Sequence, residues 1–384
     1  METKMTKNDE LLEGLTEDQQ AAVEAEGRGL LRISAGAGSG KTEVLTRRIV
    51  SLFKQAIKPD ELIAITYTNK AAAEMKVRLV EKQKLEIGKL RKMEISTFHS
   101  FLKRFIAEDP FGARLDRTTE IVASVAQKLL LKDLTEKFAG MFGKDMVSGD
   151  EGIGAEAAKK LVEVFGDALS GIRRFILNPA EFYNLSKRKF AERNRDGQEN
   201  AALKPVSELE RNALEWLYRF YTCYVEELEK RNMMDFDEIF IRSRALLREM
   251  REGGTLPRQR VFLIDEFQDN NADQFEIVKE FCKDRDSHIC VVGDEKQSIY
   301  SFQGADVEAF RNFQADKDII LADNFRSYGE IIGLADAYLE AGGDCGKLFA
   351  RQTAKRGSSP VKPAVVCMLT EEESDSEIYS QIAE

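Results

Sequence analysis

Three local patterns follow closely on one another between Leu30 and Phe53. Leu30-Leu-Arg-Ile-Ser34 is a short apolar run, Ala35-Gly-Ala-Gly-Ser-Gly-Lys-Thr42 is a glycine-rich turn, and VLTRRIVSLF has helical periodicity. A strand that ends in such a turn and opens a helix makes a cradle for phosphate. Glycines let backbone N–H groups point inward, and the helix N-terminus adds about half a positive charge. In that arrangement Lys41 reaches the β and γ phosphates of a nucleotide and the Thr42 hydroxyl holds Mg²⁺. The general phosphate-loop pattern begins with Gly where this chain has Ala35, so the strict pattern is missed by one residue.

The turn also constrains the fold around it. Leu30–Ser34, a helix from Lys41, Leu62–Thr66 and a helix from Lys70 alternate, and the pattern returns at Val261–Ile264 and Ile289–Val292. Such alternation predicts an α/β fold, a parallel sheet covered by helices. Val261-Phe-Leu-Ile264 runs straight into Asp265-Glu266. A phosphate loop needs an acidic partner at the end of another strand. There Asp265 would hold the ion through its bound water, and Glu266 would orient and deprotonate an attacking water. An apolar strand ending in Asp-Glu is by itself more often structural; the phosphate loop is what turns the reading towards ATP hydrolysis.

From about Phe105 to Glu252 the pattern changes to long helical segments poor in β-branched runs, punctuated at Gly149–Gly154 and Asn178–Pro179. This predicts a helical insertion that interrupts the sheet. After Gln303 another unit begins, with Ile319–Leu321 as a strand, a helix from about Tyr328, a linker near Arg356–Pro360 and a strand at Ala364–Leu369. No internal repeat is present, which removes solenoid folds.

Composition narrows the partners. The 384 residues carry 67 acidic and 57 basic side chains, a net charge of −10, which excludes a strongly basic coat protein for nucleic acid. Binding to DNA or RNA stays open, because phosphate contacts need only a local basic surface. No apolar run is long enough for a bilayer, and the N-terminus lacks the apolar core of a signal peptide. The five cysteines (Cys223, Cys282, Cys290, Cys345, Cys367) show no metal spacing, and there are two histidines. These features imply a reduced, cytosolic protein without a zinc or iron–sulfur site.

Further motifs are specific enough to name a family. Leu15-Thr-Glu-Asp-Gln19, the loop at Ala35–Thr42, Ile65-Thr-Tyr-Thr-Asn-Lys-Ala71, Ser96-Thr-Phe-His-Ser100, Asp265-Glu-Phe-Gln-Asp269, Val292–Gly304 and Asn324-Phe-Arg-Ser327 occur in this order. Met234-Asp-Phe-Asp-Glu-Ile239 is a further signature. Together they resemble the Q motif and motifs I, Ia, Ib, II, III and IV of superfamily 1 DNA helicases of the UvrD/Rep type, whose relatives include the RecB and AddA subunits. The resemblance runs from about Leu15 to the end and is weakest across the helical insertion. The family's phosphate loop begins with Ala, so Ala35 is no exception within it.

The resemblance implies a RecA-like first domain at 1–106 and 252–312, a helical accessory insertion at 107–251, and the start of a second RecA-like domain at 313–384. ATP would be held by Gln19 against adenine, by Ala35, Gly36, Ala37, Gly38, Ser39, Gly40, Lys41 and Thr42 around the phosphates, and by Phe325 stacked on the base. A glutamine amide can pair twice with adenine. Lys41, Asp265, Glu266, Gln297 and Arg326 would carry catalysis: Gln297 senses the γ-phosphate or the attacking water, and Arg326 serves as an arginine finger. Thr42 and, through water, Asp265 would hold Mg²⁺. Tyr67, Asn69, Thr97, His99, Tyr300 and Phe302 would line a path for single-stranded DNA, the aromatic rings stacking on bases. Taken singly, Tyr67 or Phe302 would pass for a core aromatic and His99 for a structural histidine; the motif context alone assigns them. Arg173 to Arg195 holds seven basic and two acidic residues, and Lys187-Arg-Lys189 with Arg193 and Arg195 is either a solvated face or a contact for duplex DNA.

The activity so implied is ATP-dependent translocation on single-stranded DNA and at duplex junctions, 3′→5′, in repair or recombination and within reach of protein partners there. Three departures stand against it. Many relatives have Trp-Arg where this chain has Phe302-Gln303, and a basic residue where it has Glu43. Motifs V and VI, which the family carries further along its second domain, are not in these 384 residues. The expectation is therefore an N-terminal fragment of a longer protein, or else a switch that binds ATP and DNA with negligible turnover. Action on RNA is a remoter alternative.

Overall fold

The computed structural model describes residues 7–110, 112–113, 119–122, 124–147, 160, 164–165, 168–169, 172–173, 177–199, 205–270, 272–283, 286–297, 307–341 and 352–359. The chain divides into two compact units, Met1–Ser34 with Thr42–Ile319, and Ala35–Lys41 with Ile320–Glu384.

The larger unit is built on β1 (Gly29–Ala35), β2 (Leu62–Ile65), β3 (Glu94–Ser96), β6 (Val261–Ile264), β7 (His288–Gly293) and β8 (Lys317–Leu321). They form one six-stranded sheet in the order β3-β2-β6-β7-β1-β8. Neighbours from β3 to β1 are parallel, with Ile65 opposite Ser96 and Ile264, Ile264 opposite Val291, and Ser34 opposite Gly293. Strands covered on both faces have no need to alternate polar and apolar residues. Accordingly β2, β6 and β7 are buried at every position. The strands expected at Leu30–Ser34, Leu62–Thr66, Val261–Ile264 and Ile289–Val292 are all present, within a residue at either end. β3 escaped the pattern because three residues are too few to show a period. The strand expected at Ala364–Leu369 and the punctuation at Gly149–Gly154 lie outside the described residues.

Helices Phe98–Glu108, Phe236–Glu252 and Ala272–Cys282 cover the sheet. Phe101, Phe105, Phe262 and Phe281 meet ring to ring at 5.0–6.2 Å, an offset and edge-on packing that aromatic quadrupoles favour. Ile239, Phe240, Leu246 and Leu247 of Phe236–Glu252 are buried in the same cluster.

Between β3 and β6 the chain makes its helical excursion. Helices Ser124–Val147, Pro179–Glu199 and Glu208–Lys230 surround a separate core of Phe138, Phe165, Phe220, Tyr221 and Tyr224. The two ends of the excursion are tied by a short parallel pair, β4 (Glu120–Ile121) with β5 (Met233–Met234). Just beyond, the buried Arg173 guanidinium donates to Asp235 at 2.5 Å and Glu238 at 3.0 Å, and the Tyr224 hydroxyl donates to Asp235 at 2.7 Å. The pair joins the excursion's core to the first turn of Phe236–Glu252, where Asp235 is the N-cap.

The smaller unit holds the turn Ala35–Lys41, the parallel pair β9 (Asp323–Asn324) and β10 (Thr353–Ala354), and the helix Gly329–Ala341.

Arg48, on the helix Lys41–Lys54 and fully buried, anchors the helix Glu17–Glu24 in the larger unit. Its guanidinium donates to the carbonyls of Ala22 (2.8 Å), Ala25 (3.0 Å) and Glu26 (3.2 Å), and to His288 Nε2 (2.7 Å). A cation at a helix C-terminus satisfies orphan carbonyls and complements the helix dipole. Because arginine only donates, His288 Nε2 accepts, and the proton sits on Nδ1, which donates to the Gly29 carbonyl at 2.9 Å. Burial, then the Arg48 charge, push the His288 imidazole down to about 3. The folded chain thus keeps His288 neutral while the unfolded chain takes up a proton below the ordinary histidine value, so stability is lost as pH falls from that value towards 3. Between pH 7 and 5 the loss from this group is about 2 kcal/mol. A glutamine offers the same acceptor and donor without titrating. Urea unfolding at the two pH values is expected to show a smaller loss for His288→Gln than for the native chain. Equal losses would remove His288 as the cause.

Candidate nucleotide site and nucleic-acid path

The turn that follows β1 has the backbone a phosphate cradle needs. Gly38 and Gly40 have φ of +74° and +84°, a region that side-chain-bearing residues avoid, and the helix Lys41–Lys54 starts directly after them. Consecutive amides in such a turn form an anion-binding concavity. Ser39 closes the turn on itself, its N–H and hydroxyl both donating to the Gly36 carbonyl at 3.2 and 2.8 Å. Within the same unit the segment after β9 grips the turn by its carbonyls. Asn324 Nδ2 donates to the Ala37 carbonyl at 2.7 Å and the Phe325 N–H to the Gly38 carbonyl at 2.8 Å. Gln352 Nε2 reaches the Ala37 carbonyl at 3.3 Å. A Cβ on Gly38 would sit 2.6 Å from Arg326 Cβ, so close approach as well as φ demands glycine there. Asn324 Oδ1 accepts from the N–H groups of Arg326 and Ser327 at 2.9 and 2.8 Å, an Asx turn that fixes the exit from β9. The residues assigned to adenine stacking and to the arginine finger, Phe325 and Arg326, are thereby exposed beside the turn of Ala35, Gly36, Ala37, Gly38, Ser39, Gly40 and Lys41.

In the larger unit, parallel register brings the C-terminal ends of β3, β2, β6, β7 and β1 to one edge of the sheet. Asp265 and Glu266 follow β6. Asp265 is buried to 8% exposure and its Oδ1 accepts the Glu266 N–H at 3.0 Å. Glu266 adopts φ +49°, ψ +47°, the left-handed region that costs a residue with a side chain about 1–3 kcal/mol. Three groups hold it there. Its carbonyl accepts from Asp269 N–H at 3.0 Å and Asn270 Nδ2 at 3.2 Å, and its carboxylate accepts from Gln268 Nε2 at 2.9 Å. Gln297 lies in the short helical turn after β7, its Nε2 donating to Asp294 Oδ2 at 2.6 Å.

Thr42, the second residue of its helix, and Asp265 are the groups that would hold Mg²⁺. Among the described residues no cluster of three His, Cys, Asp or Glu side chains forms a metal cage. Magnesium in nucleotide sites characteristically takes one or two protein oxygens and fills the rest of its shell with phosphate and water, a demand these two residues fit.

Four of the groups assigned to single-stranded DNA follow strands at the same edge. Tyr67 (38% exposed) and the exposed Asn69 follow β2. Thr97 follows the adjacent β3 and caps the helix Phe98–Glu108, its Oγ1 accepting the Ser100 N–H at 3.3 Å. His99 sits half-buried, edge-on to Phe236 and Phe240 at 5.2 and 4.8 Å, and burial lowers its pKa. It therefore faces its surroundings as a neutral imidazole. Tyr300 and Phe302 lie outside the described residues.

Gln19 is buried in a capping box, its Oε1 accepting the Thr16 N–H at 3.1 Å while its own N–H donates to Thr16 Oγ1. Glu43 acquires a purpose that the sequence did not show. It pairs with Arg47 at 2.8 Å, and Arg47 in turn donates to the carbonyls of Leu11 and Glu13, just ahead of Leu15–Gln19. In the basic stretch, Lys187 lies over the Tyr183 ring at 5.1 Å, Lys189 pairs with Glu192 and Arg193 with Glu210.

Sequence reasoning passed over Gln268, Asn324 and Gln352 as individual residues. The signal for Gln268 was available, since it is the one neutral amide within Asp265-Glu-Phe-Gln-Asp269, two residues from Glu266. Gln352 had none, because its role depends on the pairing of β10 with β9.

Comparison with known proteins bears on the same residues. Positions 15–318 match the family described as UvrD/REP helicase N-terminal domain. The chain is 30% identical over 347 residues to ATP-dependent DNA helicase UvrD1 of Mycobacterium tuberculosis, covering 86% of this chain and 40% of that protein. It is 32% identical over 342 residues to a probable DNA helicase II homolog of Mycoplasma capricolum, covering 86% and 42%. To ATP-dependent DNA helicase PcrA of Staphylococcus aureus it is 29% identical over 337 residues, covering 86% and 40%. The chain spans about two fifths of the length of these curated relatives. With the family match running from the Q motif to the start of β8, the chain belongs to the UvrD/REP helicase N-terminal domain family.

Proposed function

We propose that this chain is the ATP-binding motor portion of a DNA helicase or translocase, moving 3′→5′ on single-stranded DNA and working at duplex junctions in repair or recombination. The observation that carries the reading is the set of groups at one edge of the sheet. Asp265 and Glu266 follow β6 and Gln297 follows β7, beside Tyr67 and Asn69 after β2, in a chain of this family. Residues 1–106 with 252–312 serve as the first RecA-like domain, 107–251 as the accessory insertion and 313–384, whose first strand β8 is the edge strand of the six-stranded sheet, as the start of the second. The accessory insertion offers Lys187–Lys189 to duplex DNA, and other repair or recombination proteins are the protein partners this reading calls for. Among the described residues no helix is long and apolar enough to cross a membrane, and the reading places the protein in the cytoplasm.

In the reaction ATP supplies the phosphoanhydride, and a Mg²⁺ ion would supply positive charge against its phosphates. Lys41 adds a point charge at the γ-phosphate, Thr42 and, through water, Asp265 would hold the ion, and Glu266 takes the proton of the attacking water. Gln297 orients that water and Arg326 meets charge on the transferred group. Gln19 and Phe325 hold the base. Tyr67, Tyr300 and Phe302 stack on bases while Asn69, Thr97 and His99 meet backbone.

A second reading has a specific basis. Translocation needs two lobes that close and reopen, and the described residues hold one six-stranded sheet. On that reading the chain binds ATP and DNA with little turnover.

Steady-state ATP hydrolysis with and without a single-stranded oligonucleotide separates the two. A motor core gives strong stimulation by DNA, lost by 10²–10⁴-fold in Glu266→Gln while ATP binding is retained, a range typical of general-base removal. Tight binding with almost no turnover supports the switch. Equal loss of binding and turnover in Glu266→Gln would withdraw the base assignment, and Lys41→Ala is expected to lose both. For the DNA path, Tyr67→Ala and Phe302→Ala should each weaken single-stranded DNA by roughly 5- to 150-fold, the equivalent of about 1–3 kcal/mol per stacked base. ATP affinity should stay as it was. Unchanged DNA affinity would return those rings to a packing role, and equal affinity for RNA of the same sequence would remove the preference for DNA.

A further inference from the structure

Gln268 is 1% exposed, and it touches both functional strand ends of the larger unit. Its Oε1 accepts the Asp294 N–H at 3.0 Å, immediately after β7. Its Nε2 donates to Glu266 Oε2 at 2.9 Å, immediately after β6. The orientation of the amide is forced. A backbone N–H only donates, so the oxygen must face Asp294, which leaves the NH₂ group for a carboxylate that only accepts. From Asp294 the chain of bonds continues, because Asp294 Oδ2 accepts from Gln297 Nε2 at 2.6 Å and Oδ1 from the Lys296 N–H at 3.1 Å.

Two features of the backbone are arranged around this amide. Gly293 ends β7, and a Cβ there would lie 2.6 Å from Gln268 Oε1 and 3.1 Å from the Phe310 ring. Any side chain at 293 would displace the amide. Glu266 is held left-handed, an arrangement that costs energy unless neighbouring bonds fix it, and Gln268 Nε2 donates to its carboxylate.

We propose that Gln268 is a positioning residue for hydrolysis. It aims the Glu266 carboxylate and ties that aim to the Asp294–Gln297 turn, so a shift of the turn moves the base. The inference rests on the reading of Glu266 as general base. It gives Gln297 a mechanical route to Glu266 through Asp294 and one buried amide. A neutral amide suits the task, since a charged residue at 268 would either neutralise the base or repel it.

Three variants of the full chain test it: Gln268→Met, Gln268→Glu and Gly293→Ala. The assay is single-turnover hydrolysis, with protein in excess over ATP and a single-stranded oligonucleotide present, alongside ATP affinity and urea unfolding. Met keeps the length and the packing without either hydrogen bond. Gln268→Met is expected to slow hydrolysis at least tenfold with ATP affinity within threefold of native. Gly293→Ala should reproduce that split by displacing the amide. Gln268→Glu still accepts from Asp294 but sets a second carboxylate against Glu266. Like charges favour protonation, so the acid limb of its pH–rate profile should move to higher pH, a response that loss of packing does not produce. Hydrolysis by Gln268→Met within twofold of native, or rate and affinity falling together, would overturn the proposal. If Met at 268 prevents folding, the decision passes to Gln268→Glu, and an unmoved acid limb overturns it. Glu266→Gln hydrolysing at the native rate would instead overturn the underlying reading, whereas an inactive Glu266→Gln beside an unaffected Gln268→Met would overturn only the role given to Gln268.

Discussion

The pairing of β6 between β2 and β7 is the contact on which the rest depends. Leu62–Ile65 pairs in full with Val261–Ile264, and those four residues pair in full with His288–Val291. Every backbone group of β6 is thus committed between two neighbours far away in sequence, and its four side chains are buried. A slip of one residue would turn each of those side chains to the opposite face and carry Asp265 and Glu266 away from the strand end. The helical excursion between β3 and β6 would make such a pairing costly if its ends were loose. Closing them by β4–β5 and by the Arg173–Asp235–Glu238 cluster returns the chain to the sheet with little of that closure left to find. A buried ion pair of this kind stabilises little on balance, but removing one partner leaves an uncompensated charge. Its contribution here is therefore placement, holding Asp235 as the cap of the helix that covers β6.

How much of this was legible in the sequence follows from the range of the interaction. Strands buried on both faces announce themselves as apolar runs, so β1, β2, β6 and β7 could be located within a residue. The phosphate turn was legible because its glycines answer a local backbone demand, seen at Gly38 and Gly40. The hidden parts are long-range. Nothing local to Arg48 shows that its guanidinium gathers carbonyls from Ala22 to Glu26. Glu43, anomalous as a sequence position, becomes ordinary once Arg47 is seen holding the segment before Gln19. Thr97 and Gln19 show the converse. The motif suggests ligand contacts, and the structure adds local duties as helix caps, since a hydroxyl or amide two or three residues from an orphan N–H serves as a cap.

The sites are held by amides. Asn324 and Gln352 hold the Ala37 carbonyl, Gln268 holds Glu266 and Asp294, and Gln297 holds Asp294. An amide side chain both donates and accepts, so one residue can link two backbone or carboxylate groups of opposite need. It carries no charge, and that matters beside phosphates. On the proposed reading, a lysine or arginine in place of Asn324 would compete with Lys41 for a phosphate, and a carboxylate would repel it. In a poorly screened site such a charge acts over several ångströms, whereas the dipole of an amide acts mainly on its bonded partner. Neutral links thus add no charge of their own in either unit: the grip on the turn leaves its charge to Lys41 and Arg326, and the bond from Gln268 aims the Glu266 carboxylate without neutralising it.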